Sequence, residues 1–400
     1  MTLVFKVKNI MRILLTITAL LMVCFAKAQH LQIIEQDYTK ALKVAKNEDK
    51  MIFIDFYTTW CSPCKKLDKL IFQNDSIQSI LSEDFVLLRY NAEDDKVYHL
   101  SKKHHVSSYP TAVVLNQEGY VVNRKYGFPG ENFHNLSASV INFAEESILL
   151  DSENKIIKGY SNQIDMPNYP KFYVDYINRD NIKVVDTKSF NSYWNAVENP
   201  ISEEFFSTLL YFASDVPDAV ANLALNYKDD YFELYGKLDT EILFYFLSAG
   251  KLNKAISAKS QSEFEDAKTY AYQTLTKEWT DDIIPNFEVK FLKAQNKWDE
   301  VYNYYENLKE KGKLNNGAIN QFCWEVYEKC DDQEVIRRCI DWMGEVTQKD
   351  TDYAYLDTYA YLCVKSGDRQ KAREIAELAV KIGKQQNVKT TNMEDLLNKL

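Results

Sequence analysis

One stretch constrains this chain more than any other: MIFIDFYTTWCSPCKKLDK, residues 51–69. Residues 51–57 show no polar alternation except Asp55, the pattern of a strand buried on both faces. After the cysteines, KKLDKLIF has helical spacing, and Pro63 falls in the first turn, the helical position that tolerates proline. Cys61 therefore stands where a buried strand ends and a helix begins.

The surrounding segments supply partners for that strand. QDYTKALKVAKN (36–47) is helical, with Tyr38, Leu42 and Ala45 on one face. A further helical turn through SIQSIL is expected to be capped by Asp75 or Ser76. FVLLRYNA (85–92) reads as a second strand and KVYHLSKKHHV (96–106) as a short helix. TAVVLNQEGYVVNRKYG reads as two strands around a turn at Gly119, and residues 131–150 as a long amphipathic helix. The order α-β-α-β-α-β-β-α predicts a mixed sheet with helices on both faces.

Three chemistries fit two cysteines with two residues between them. A structural zinc site needs four ligands, usually two close pairs, and the chain has no second CxxC and no matching pair among its five histidines. A purely structural disulfide would close a very small loop and remove little unfolded-state entropy. A redox centre has several supports. Unpaired N–H groups at the helix start favour a thiolate at Cys61, and Lys65 and Lys66 add positive potential. Cys64, one turn deeper, is placed to resolve a mixed disulfide formed at an exposed Cys61. Asp55 lies six residues before Cys61. A carboxyl buried there should have a raised pKa and could relay a proton for Cys64; a strand-end carboxyl reaching solvent is the blander reading.

IDFYTTWCSPCK resembles the active-site segment of the thioredoxin superfamily, and VSSYPTAVVLNQEGYVVNRKYG resembles its second landmark, a cis-proline loop facing the cysteines. The resemblance spans residues 34–148 and implies a thioredoxin fold. It makes Pro110 the cis-proline, with the backbone of Tyr109 exposed so that an extended substrate pairs beside Cys61. Trp60, Tyr109, Pro110 and Thr111 become substrate-binding residues, beside Cys61, Cys64 and Asp55 as catalytic ones. Arg89 stands where thioredoxins often carry a lysine near the buried Asp; an ordinary surface arginine is the alternative. Ser-Pro replaces the more usual Gly-Pro between the cysteines, and Tyr57 a more usual tryptophan. The longer segment after them resembles the exported group related to the C-terminal domain of the thiol–disulfide interchange transporter. With no histidine between the cysteines, the centre leans toward reduction or isomerisation. No cofactor is expected beyond the Cys61–Cys64 disulfide, and no metal.

The N-terminus bears on compartment. Lys6, Lys8 and Arg12 precede the apolar run ILLTITALLMVCF (13–25), and Ala26-x-Ala28 follows, the make-up of a secretory signal peptide cleaved after Ala28. The run is short for a membrane span, and Val23 is bulky for lipoprotein processing at Cys24. A periplasmic or secreted protein follows, with no stable membrane span after cleavage, in a compartment where disulfides persist.

Beyond residue 150 helix follows helix. A recurring loop signature at SDVPDA (214–219), GKLNKA (250–255), NKWDEV (296–301), CDDQEV (330–335) and GDRQKA (367–372) has the spacing of tetratricopeptide-like helix pairs, with an irregular helical bundle of coincidental spacing as the alternative. IDMPNYPKFYVDY (164–176), with two prolines, is expected to mark the junction. Cys323, Cys330, Cys339 and Cys363 suit helical cores, although a Cys330–Cys339 bond is conceivable across a turn. Residues 29–147 hold 13 basic and 16 acidic groups, so most of the net charge of −10 lies on the helical part. That balance argues against a nucleic-acid binder and fits a protein-binding surface; a dimerisation module or a passive appendage fits the same sequence.

The expected organisation is a signal peptide at 1–28, a thioredoxin-like α/β domain at 29–150, and an all-α helical-repeat region at 151–400. The expected function is an exported thiol–disulfide oxidoreductase. Its partners would be protein disulfides, an electron-donating thiol–disulfide protein, and a protein held by the helical region. The competing reading is a binding or assembly scaffold in which the α/β part is secondary.

Overall fold

Alternation of side chains explains how the sheet is covered. The computed structural model describes residues 30–177 and 186–400, so the signal peptide expected at 1–28 lies outside the described residues. Strands β1 (Ile33–Glu35), β2 (Met51–Tyr57), β3 (Phe85–Asn91), β4 (Thr111–Leu115) and β5 (Val121–Tyr126) form one sheet in the order β1-β3-β2-β4-β5. The β1–β3 and β3–β2 pairs are parallel, and β2–β4 and β4–β5 antiparallel. Met51 and Phe53 of β2, Phe85 and Leu87 of β3, and Ala112 and Val114 of β4 share one core. It is closed by Leu67, Ile71, Phe72 and Ile77 behind the cysteines and by Leu136, Val140 and Phe143 of helix α5 (Phe133–Ser152). Ile52, Ile54 and Phe56 alternate to the opposite face and are equally buried. With both faces covered, β2 can be continuously apolar, and Asp55 is the exception.

Most expected elements form, and the differences have local causes. The three-residue strand β1 precedes helix α1 (Tyr38–Glu48) and is too short to show a pattern in sequence. Helix α2 (Ser62–Leu67) runs into a π turn, Asp68–Phe72, before helix α3 (Asp75–Leu81). The cap of α3 is Asn74, whose side chain accepts from the Ser76 and Ile77 amides at 3.1 and 3.2 Å. The helix expected over 96–106 shrinks to α4 (Leu100–Lys103), because His99 enters it from the left-handed region at φ 53°.

The chain then stays on the sheet. Ile157 donates its amide to the Val121 carbonyl at 2.7 Å. The proline-bearing segment expected as a junction is packed: helix α6 (Lys171–Ile177) carries a fully buried Tyr173, whose hydroxyl donates to the Lys102 carbonyl at 2.5 Å. Helices α7 (Thr187–Asn195), α8 (Glu203–Phe212), α9 (Asp218–Asn226) and α10 (Lys228–Ala258) follow, with α10 kinked at Gly236, φ 76°. One compact unit ends at Gly250, and a second runs from Lys251 to Leu400.

A buried charged cluster fastens α10 to β5. Asp239 lies 3.3 Å from Arg124 Nε and accepts from Tyr126 and Tyr160 at 2.8 and 2.5 Å. Arg124 also donates to the His104 carbonyl at 2.9 Å. Burial alone would raise the pKa of Asp239, but Arg124 and His105 more than offset it and hold the carboxyl below its usual range. Burial, with Arg124 adding to it, pushes His105 down to about 4. Lys103 pairs with Glu203 of α8.

The second unit contains helices α11 (Gln261–Thr274), α12 (Lys277–Ala294), α13 (Trp298–Glu310), α14 (Asn316–Lys329), α15 (Gln333–Lys349), α16 (Tyr353–Ser366), α17 (Arg369–Gln385) and α18 (Thr391–Lys399). Three of the loop signatures fall at turns here: Asn296 is left-handed before α13, Asp332 caps α15, and Asp368 caps α17 after the left-handed Gly367. GKLNKA does not, since it lies inside α10. Gly250 serves close packing instead of a turn: a Cβ there would stand 2.5 Å from the Ser214 carbonyl oxygen. Cys323, Cys330, Cys339 and Cys363 are free thiols in the core of this unit, and no Cys330–Cys339 bond forms. Burial pushes the Cys330 thiol up to about 11 and that of Cys363 to about 12.

Candidate redox site

The strand-to-helix turn brings the cysteines together. Cys61 is the N-cap of α2 and is bonded to Cys64, with an S–S distance of 2.01 Å and Cα atoms 5.3 Å apart. The Cys64 amide donates to Cys61 Sγ at 3.1 Å, so a helix-start N–H already points at the sulfur that would carry charge. Lys66, expected to add local potential, instead reaches the Gly130 carbonyl at 3.4 Å. With the bond formed, Cys61 is only 2% exposed, like Cys64. The exposed Cys61 expected from sequence is thus withdrawn in the oxidised protein, its sulfur turned inward onto Cys64 and the cap N–H.

Asp55 is 1% exposed and shares its sheet face with Phe53, the face that the cysteine-bearing helix covers. Neither carboxyl oxygen has a hydrogen-bond donor among the described residues. Arg89, directly opposite in β3, holds its Nε 3.8 Å from Asp55 Oδ2, an ion pair too long for a hydrogen bond. The guanidinium is closer to Asp68, at 2.9 Å, and lies over the Tyr57 ring. Burial raises Asp55 to about 7; Arg89 offsets part of the rise, and Asp68 and Glu35 add to it. Arg89 is therefore not an ordinary surface arginine.

The rim is aromatic. Trp60 is 60% exposed and meets Tyr109 edge-to-face, with ring centroids 6.0 Å apart. The Tyr109–Pro110 bond is cis. The Gly127 amide donates to the Pro110 carbonyl at 2.8 Å. Thr111 is fully buried, and its hydroxyl donates to the Ser108 carbonyl at 2.8 Å. Its side chain offers no surface to a substrate and instead holds the turn that presents Tyr109.

Sequence reasoning missed Asp68 and Glu93. Glu93 accepts from the Thr59 amide and hydroxyl, both at 2.6 Å, which hold its carboxyl below the usual range and tie down the residues before Cys61. A signal existed in the register. Met51 pairs with Phe85, an offset of 34 that sets Asp55 opposite Arg89, and the Thr59–Glu93 bond keeps the same separation.

No helix among the described residues is long and apolar enough to cross a membrane. The profile of a family described as Thioredoxin-like matches residues 33–117. Thioredoxin-1 of Drosophila melanogaster is 35% identical over 101 residues, covering 25% of this chain and 84% of the fly protein. The thiol:disulfide interchange protein DsbD of Photorhabdus laumondii is 31% identical over 78 residues, 19% of this chain and 13% of its own length. The chain also spans less than half the length of two protein disulfide isomerase-like relatives from rice. The solved structure of a thioredoxin from Thermus thermophilus aligns at 18% identity over 30% of this chain and 88% of its own, with a TM-score of 0.26. Through residues 33–117, this chain belongs to the thioredoxin-like family.

Proposed function

We propose that the protein is an exported thiol–disulfide oxidoreductase that reduces or isomerises protein disulfides, and that its helical region recruits the proteins it serves. The observation that carries this reading is the Cys61–Cys64 disulfide at a helix start, above a buried carboxyl that titrates near 7. In the reduced protein, the Cys61 thiolate attacks one sulfur of a substrate disulfide. A mixed disulfide forms, and the other substrate sulfur leaves as a thiolate that takes a proton. Cys64 then passes its proton to Asp55 and attacks Cys61 Sγ. This step closes the Cys61–Cys64 bond and releases the second substrate sulfur as a thiolate that takes up a proton, while Asp55 returns its own to solvent. A carboxyl with a pKa near neutrality suits that transfer. Trp60 and Tyr109 give apolar contact, and the backbone beside Pro110 accepts the substrate as an added strand. A dithiol protein restores the reduced pair, and no cofactor enters the cycle.

Trapping tests the division of labour. The full chain with Cys64→Ala, reduced and then mixed with a disulfide-bonded protein, should accumulate a mixed disulfide through Cys61 that Cys61→Ser abolishes. Failure of Cys64→Ala to retain substrate would overturn the assignment.

A further inference from the structure

Helices α14, α16 and α18 carry a face that disulfide exchange leaves unused. Three-residue connections, 330–332 and 350–352, fold α15 back on α14 and α16 back on α15, so α14 and α16 run side by side in the same sense. Trp324 and Tyr327 of α14 meet Tyr361 of α16, with ring centroids 5.6 and 5.1 Å from it and 5.1 Å from each other. All three rings are half-buried. Asp357 stands one turn before Tyr361 and so shares its side of α16. It makes no hydrogen bond or ion pair with any described residue, and burial raises it to about 6. One turn before Trp324, the side-chain oxygen of Asn320 is buried without a donor among the described residues. Asp395 of α18 is close enough to Tyr361 to act on its hydroxyl. Lys365, the cation one turn beyond Tyr361, lies 5.9 Å from the centre of the Tyr327 ring, donates to the Tyr327 carbonyl at 2.6 Å and stands 3.6 Å from Asp331, so an incoming cation is left the Trp324 and Tyr361 rings.

We propose that this face binds a lysine or arginine side chain carried on an exposed segment of a partner protein. Ring faces carry negative potential and attract a cation, while the Asp357 carboxylate and the Asn320 oxygen each await a donor. An acidic segment would meet Asp357 and Asp395 as like charges, and a purely apolar one would leave a half-buried carboxylate unpaired. The negative charge concentrated beyond residue 147 steers a basic partner toward the region. This site gives chemistry to the partner recruitment proposed above and stands apart from the cysteine reaction.

Fluorescence anisotropy on the full chain tests it, using a labelled glycine–serine peptide that carries one lysine and one arginine. The same peptide with glutamine or with glutamate at those places is the comparison. The basic peptide should bind saturably, and both counterparts about tenfold or more weaker, the equivalent of about 1.4 kcal/mol. Asp357→Asn and Trp324→Leu should each weaken the basic peptide about tenfold, while Glu374→Gln on exposed α17 surface leaves it unchanged. Asp357 bonds to no described residue, so its asparagine variant keeps the fold, which far-ultraviolet circular dichroism verifies. Cys61→Ser with Cys64→Ser should bind as the wild type does, which separates this site from the redox one. Equal binding of the three peptides, absence of saturable binding, or equal losses in Asp357→Asn and Glu374→Gln would each overturn the proposal.

Discussion

Replacing Asp55 with asparagine isolates the cost of burying a carboxylate beneath the cysteines. Asp55 is fully buried, its oxygens lack donors, and Arg89 is too far for a hydrogen bond, so burial dominates and the carboxyl titrates at about 7 in place of 3.8. Below pH 3.8 it is protonated whether the chain is folded or not. Between 3.8 and about 7 only the unfolded chain releases the proton, and each pH unit costs the folded state about 1.36 kcal/mol. Above pH 7 the cost is constant at about 4 kcal/mol. The asparagine side chain carries no charge, so the Asp55→Asn variant should gain stability over wild type as pH rises. That gain should be about 3 kcal/mol larger at pH 8.5 than at pH 4.5. Hydrogen exchange of β2 and β3 peptides across a urea series, on oxidised protein at both pH values, reads this locally. The comparison between two pH values cancels whatever else the amide changes. A gain that is the same at both would mean Asp55 titrates as an ordinary carboxyl and is no proton acceptor near neutrality.

The neighbours of Asp55 should act with opposite signs. Arg89→Leu removes the nearby cation and moves the pH midpoint of disulfide turnover up by about one unit, whereas Asp68→Asn frees Arg89 for Asp55 and moves it down; the pH profile of insulin reduction reads both. Asp239→Asn leaves Arg124 buried without its counter-ion and should destabilise the first unit by about 3–5 kcal/mol, a loss that a further Arg124→Met change partly restores, measured by urea unfolding. Ellman's reagent should find no reactive thiol among the described cysteines of the oxidised native protein, and two after mild reduction. Cys323, Cys330, Cys339 and Cys363 should react only once denaturant opens the second unit.

The site was legible in sequence wherever a local pattern carried it. An apolar run ending in CxxC, one carboxyl where burial is expensive, and proline after Tyr109 are each read within a few residues. What stayed hidden depends on distant partners. Glu93 acquires its role only when the register of two parallel strands brings it to Thr59, and the same register settles between the two readings that the sequence left for Arg89. Asp239 looks like an ordinary helix acid until folding sets it against Arg124, 115 residues away. Thr111 illustrates the opposite error, since its place beside the proline fits a binding residue while the pleat turns its side chain inward. Gly250 misled for a related reason: glycine marks a turn in sequence, yet here it allows a helix to press against Ser214.

The most direct test of the central claim is a single turnover of the pre-reduced full chain with insulin, quenched with acid and read by mass spectrometry. One insulin disulfide should be lost per protein molecule as the Cys61–Cys64 bond reforms, and Cys61→Ser should be inert. Insulin left intact while Cys61 and Cys64 stay reduced, or a Cys61→Ser variant as active as the wild type, would contradict the account.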